Sequence, residues 1–121
     1  MKLLIQLKFF VLLVNVFPCF FSLALAQEVQ VSVLTYNIRL AAPGDAPNTW
    51  SARQENVFSV IRTANADVFG LQEALKEQVT DMEKAFPGFA RIGVGRDDGK
   101  QLGEFSPLFY NSTKFRDNHL Q

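Results

Sequence analysis

Two short runs, Leu34-Thr35-Tyr36-Asn37-Ile38-Arg39 and Val68-Phe69-Gly70-Leu71-Gln72-Glu73, decide how this 121-residue chain folds. Each is an apolar stretch with strand character, and each closes on a group able to coordinate. Asn37 ends the first with an amide, and Glu73 ends the second with a carboxylate. The segment between them carries Val57, Val60, Ile61 and Ala64 at i, i+3, i+4 and i+7, which predicts an amphipathic helix from about Ser51. Such a helix carries the chain back, so that the ends of the two runs converge on one edge of a sheet. Two buried strands that deliver an amide and a carboxylate to one rim make a seat for a hard cation and a phosphate.

Working outward, residues 29–38 alternate, with Val29, Val31 and Val33 on one face and Gln30 and Ser32 on the other. Leu34, Tyr36 and Ile38 then make the second face apolar too, as in a strand entering a core buried on both sides. Pro43, Gly44, Asp45, Pro47 and Asn48 mark a loop before the helix, and Asn65-Ala66-Asp67 ends that helix. After Ala74 a second helix is expected, with Leu75, Val79, Met82 and Phe86 on one stripe and Pro87-Gly88 as the stop. Residues 89–94 and 104–110 read as strands around a polar turn at 95–100, and Lys114-Phe115-Arg116 reads as the opening of a further strand. The order strand, helix, strand, helix, strands predicts an α/β fold with helices packed against a mixed sheet.

The chain opens on a leader. Lys2 and Lys8 flank the start of an apolar stretch that runs to Phe21, and Ala24-Leu25-Ala26 supplies a small-x-small cleavage pattern. Asn15, Pro18 and the small-residue end argue against a transmembrane anchor, and Cys19 lacks the preceding small residues of a lipid-attachment site. The chain therefore divides into a signal peptide at 1–26 and a domain at 27–121. Removing the leader takes two of the twelve basic residues and none of the twelve acids, leaving the mature part at −2. That balance weighs against a dedicated duplex-binding surface. The only cysteine sits in the leader, so the mature chain makes no disulfide.

Five segments in order carry a resemblance: Thr35-Tyr36-Asn37-Ile38-Arg39, Trp50-Ser51-Ala52-Arg53, Asp67-Val68-Phe69-Gly70-Leu71-Gln72-Glu73, Gly93-Val94-Gly95-Arg96-Asp97-Asp98-Gly99-Lys100 and Gly103-Glu104-Phe105-Ser106-Pro107-Leu108-Phe109-Tyr110. Together they resemble the amino-terminal half of the endonuclease/exonuclease/phosphatase family, the relatives of DNase I, and its secreted bacterial members most of all. The resemblance implies half of a four-layered α/β sandwich, with the sheet that would pack against it absent. On that basis Val31, Val33, Ile61, Leu71, Phe105 and Phe109 are expected to lie in a core lacking its other wall.

The resemblance also assigns roles. Glu73 would bind the divalent metal, Mg²⁺ or Mn²⁺, and Asn37 would stand beside the metal and the scissile phosphate. Without the family, the commoner reading of Glu73 is a helix N-terminal acid and that of Asn37 a strand-end turn residue. Arg39 and Arg96 are candidate phosphate contacts, with solvated surface arginines as the alternative. Arg53 is expected to anchor the loop to the helix by stacking on Trp50 and by hydrogen bonds, and Gln72 to be structural. Asp97, Asp98 and Glu104 lack EF-hand spacing and read as a polar hairpin turn. His119 has no partner motif. The family's Asp–Asn pair in a Gly-Asp-Phe-Asn-like segment and its late Asp–His pair, which position the attacking water, have no counterpart here.

The expected function is therefore part of an exported, Mg²⁺-dependent phosphoesterase acting on phosphodiesters or phosphomonoesters, periplasmic or secreted, with no stable membrane anchor. The substrate class stays open on sequence grounds, and near-neutral charge favours small phosphoesters. The alternative is an exported binding domain, or an inactive truncated product, that keeps the half-fold without catalysis. Amino-terminal sequencing of the exported protein should return Gln27; Met1, or a lipid on Cys19, would refute the leader reading.

Overall fold

A chain whose strands alternate sides can bury only one of those sides under its own helices, and that constraint shapes this structure. The computed structural model describes residues 28–116. The leader with Cys19, and His119, lie outside the described residues. Strand β1 spans Val33–Asn37, helix α1 Trp50–Ala64, strand β2 Val68–Gln72, helix α2 Lys76–Ala85, strand β3 Phe89–Ile92 and strand β4 Leu108–Asn111. They form one mixed sheet in the order β1-β2-β4-β3. β1 and β2 are parallel neighbours, and β4 is antiparallel to both β2 and β3.

The β1–β2 register is fixed at its start by Asp67. This carboxylate accepts the Ser32 backbone N–H at 3.1 Å and the Lys114 ammonium at 2.5 Å. Its own N–H donates to the Ser32 carbonyl at 2.8 Å. Pairing then runs from Val33 opposite Val68 to Asn37 opposite Gln72. Just upstream, α1 ends at Asn65, which takes the left-handed conformation that asparagine tolerates at a helix end (φ 45°).

Residues directly opposite across a sheet share a face. Leu34, Tyr36, Phe69, Leu71 and Phe109 accordingly point together toward the helices. There they meet Val57, Phe58 and Ile61 of α1 and Val79 and Met82 of α2 in one cluster. Phe69 is its centre. It stacks on Phe109 at 4.8 Å and meets the rings of Phe86 at 5.4 Å and Phe89 at 5.2 Å. The opposite face presents Val33, Ile92 and Leu108, all exposed.

Several expectations need correction. Ile61, Leu71, Phe105 and Phe109 are fully enclosed on the helix side, and only Val31 and Val33 of the six residues expected to face a missing wall are exposed. Strand alternation is the reason, since Leu71 and Phe109 pair with helix-side residues. The last strand starts at Leu108 rather than 104, because Pro107 has no N–H to donate. Phe105 instead makes isolated bridges to Ala74 and Gly95. Residues 114–116 open no strand: the N–H groups of Lys114 and Phe115 both turn back to the Asn111 carbonyl.

The ring cluster sets the stability of this one-sided core. Phe69→Ala should lower the unfolding free energy by about 3–5 kcal/mol, as for other buried phenylalanines cut to alanine, measured by denaturant titration. A loss below about 1 kcal/mol would mean the stack is not the core's centre.

Candidate metal centre at the paired strand ends

Parallel pairing brings the carboxyl ends of β1 and β2 to one rim, with Asn37 opposite Gln72 and Glu73 the next residue out. The chain kinks after each strand. Arg39 and Glu73 each hold φ at 58°, a left-handed conformation that costs a non-glycine residue roughly 1–2 kcal/mol. Such strain persists only where surrounding bonds impose it.

Those bonds are present. The Asn37 side-chain N–H donates to Glu73 Oε1 at 2.8 Å, and the Leu40 backbone N–H donates to Oε2 at 3.3 Å. The Arg39 backbone N–H donates to Asn37 Oδ1 at 2.9 Å, which turns the amide's amino group toward the carboxylate. The Asn37 bond, then the Leu40 N–H, hold the Glu73 carboxyl below its ordinary value of 4.5, against partial desolvation and with the Arg39 charge adding to the effect. Glu73 is thus an anion at neutral pH. A carboxylate offers about four acceptor positions, and two of them remain free for a cation or its waters.

The turn behind the carboxylate is gripped from beneath. Arg53 donates to the carbonyls of Ile38, Arg39 (2.6 Å), Leu40 (3.2 Å) and Asn48 (3.1 Å). Its guanidinium lies 5.2 Å from the Trp50 ring centre, and Trp50 Nε1 donates to Asp81 at 3.0 Å. This is the anchoring role its spacing from Trp50 predicts. Gln78, on α2, reaches the same turn, and sequence reasoning passed over it. Its one legible signal was a glutamine three residues into a helix start, where a side chain can bond back to the N-cap.

Arg39 pairs with Asp45 at 2.5 Å, close enough to Glu73 for its charge to be felt there. Asn37, Arg39 and Glu73 therefore come together. Arg96 is tied to acids of its own loop, Asp97 at 3.4 Å and Glu104 at 3.3 Å, and makes no bond to Asn37 or Glu73. Gln72 donates to Thr35 Oγ1 at 3.0 Å and is structural, as expected. Asp98 Oδ1 accepts the N–H groups of Lys100, Gln101 and Leu102 within 2.9 Å, which makes the segment a capped turn. Between residues 41–51 and the start of α2 lies an open cleft of about 560 Å³ lined by Ala41, Pro43, Thr49, Trp50, Leu75 and Glu77 among others, with none of Asn37, Arg39 or Glu73 in its lining.

Among the described residues no three His, Cys, Asp or Glu side chains gather to hold a metal. What the rim offers is one ionised carboxylate with an amide beside it. That donor set fits Mg²⁺ or Mn²⁺, hard ions that keep several waters and need only one or two carboxylates.

No family model matches the chain, and no curated protein sequence does. Solved structures do. An endonuclease/exonuclease/phosphatase from Bacteroides vulgatus is 41% identical, with a TM-score of 0.68, over 71% of this chain and 33% of its own. A family protein from Bacteroides thetaiotaomicron is 39% identical, with a TM-score of 0.65, over 68% of this chain and 30% of its own. A mannosyl-6-phosphatase of the same organism is 38% identical, with a TM-score of 0.65, over 69% of this chain and 32% of its own. The chain thus spans about a third of the length of the structures it matches.

Asn37→Ala should move the Glu73 titration up toward 4.5, since the largest cause of its depression is removed. A depressed folded value means the ionised carboxylate stabilises the fold above its unfolded pKa and loses that contribution as pH falls through the folded value. The variant should therefore show a smaller acid-side loss of stability. Carboxyl-carbon NMR across pH 2–6 reads it, and an unchanged Glu73 curve would show that the Asn37 bond does not hold the charge.

Proposed function

Because the chain belongs to the endonuclease/exonuclease/phosphatase family, we propose that it supplies the metal-holding rim of an exported, Mg²⁺-dependent phosphoesterase acting on a sugar phosphate or similar small phosphoester. The observation that carries this reading is the Asn37–Glu73 hydrogen bond at the paired ends of β1 and β2. Glu73 would hold Mg²⁺, or Mn²⁺, through its unused acceptor positions, with Asn37 beside it. The bound ion supplies Lewis-acid polarisation of the phosphoryl oxygens.

The chain's own residues do the rest of what this rim can do. Asn37 keeps the carboxylate ionised and aimed. Arg39 can exchange Asp45 for a phosphate oxygen, since a guanidinium matches either partner in the same bidentate geometry. Arg96, on a loop rooted beside Ala74 through Phe105, is the second candidate for the phosphate. Activation of the attacking water falls to groups outside the described residues.

Two observations support a small substrate. The 38% identical relative is a mannosyl-6-phosphatase, and the mature charge of −2 does not favour polyanions. Export rests on the leader read in residues 1–26. Among the described residues no helix is long and apolar enough to cross a membrane.

Mn²⁺ titration of the 121-residue chain, read by electron paramagnetic resonance, tests the centre. Glu73→Gln should weaken binding at least about tenfold, because the one anionic ligand is lost, while the melting temperature changes little. Equal Mn²⁺ affinity in the two proteins would remove Glu73 from the metal site.

A further inference from the structure

We infer that Gln78 is the positioning residue of this rim: it fixes the turn after β1 against the segment that follows Glu73, and so sets the Leu40 N–H on the Glu73 carboxylate. Its functional meaning rests on the metal-holding role proposed for Glu73.

Gln78 is completely buried although it lies only three residues into α2. Burying an amide is costly unless its bonds are replaced, and here they are. Oε1 accepts the Leu75 N–H at 2.9 Å and the Ala41 N–H at 3.1 Å, and Nε2 donates to the Arg39 carbonyl at 2.9 Å. The Leu75 bond alone is ordinary helix capping. The other two are not explained by capping. They fall on the residues either side of Leu40, whose N–H meets Glu73 Oε2. The Leu75 bond lies two residues beyond Glu73 itself. One side chain therefore spans both arms of the site and fixes their spacing.

The chemistry of the position selects glutamine. It must accept two N–H groups and donate to one carbonyl without carrying charge into the interior. An ionised glutamate accepts both but cannot donate to Arg39 and would bury a charge. Methionine fills the space and bonds to nothing. The turn needs this grip because Arg39 sits at φ 58°, a conformation it would leave if its carbonyl were released. Arg53 shares the Arg39 carbonyl, but it bonds only to residues 38–40 and 48, whereas Gln78 also holds the segment after Glu73 through the Leu75 N–H.

Amide hydrogen exchange on the 121-residue chain separates positioning from bulk stability. In Gln78→Met, protection at Leu40 and Ala41 should fall roughly tenfold or more, while Phe69 and Leu71 in the core keep theirs, and Mn²⁺ affinity should fall with it. Unchanged protection at Leu40, or an equal loss at Leu40, Phe69 and Leu71, would overturn the inference, since the second pattern is a general loss of stability. Should the methionine variant fail to fold, Gln78→Glu keeps the acceptor half. It should retain protection at Ala41 and lose it at Leu40, and wild-type protection at Leu40 in that variant would overturn the inference too. A wild-type chain that binds no Mn²⁺ would sink the metal reading of Glu73, while the Leu40 measurement would still decide the role of Gln78.

Discussion

Parallel pairing of β1 with β2 in a single register is the constraint on which both core and site depend. With Val33 opposite Val68, Leu34 and Tyr36 fall on the helix side beside Phe69 and Leu71, and Asn37 arrives at the rim next to Gln72. A slip of one residue would turn every side chain of β1 to the other face. Leu34 and Tyr36 would leave the core, and Asn37 would point away from Glu73. Asp67 guards against that slip from the far end, where it holds the backbone of Ser32 in both directions. Its carboxyl is kept below the ordinary 3.8 by the Lys114 ammonium and the Ser32 N–H, so the latch is charged across the neutral range.

The two ends of that pairing are built differently. Both carboxylates take one protein donor on each oxygen, but Asp67 is buried beneath its partners, whereas Glu73 is exposed to solvent. At that end the left-handed residues are Arg39 and Glu73, types that adopt this conformation at a cost, whereas near the Asp67 end it falls on Asn65, which tolerates it. Rigid elements below and a strained, side-chain-gripped turn above are what a binding rim needs, because a ligand-holding group must already be in place before the ligand arrives.

Among the described residues the sheet carries its helices on one side only. Its other face shows Val33, Ile92 and Leu108 to solvent, and the four-layered architecture of the family would set a second sheet there. The relatives, three times as long as the matched part, fit that reading. Such a face in water is prone to association.

Much of this was legible beforehand. The periodicity of 57–64 reported the first helix, although Val60 and Ala64 lie exposed and Phe58 joins Val57 and Ile61 on the inner face. The stripe 75–86 reported the second, the apolar runs reported β1 and β2, and the residues closing those runs, Asn37 and Glu73, were the two that the rim joins. The spacing of Trp50 and Arg53 foretold the anchor. These are local signals, written at the period of a single element. What only the tertiary structure decided has a different physical origin. The direction in which Leu71 and Phe109 point depends on strand pairing, the start of β4 depends on an N–H that Pro107 lacks, and the role of Gln78 depends on Arg39 and Ala41, distant in sequence but adjacent in space. A glutamine near the start of a helix reads as surface until a turn from another strand folds over it, because burial and bonding belong to the pair of segments and neither one encodes them alone.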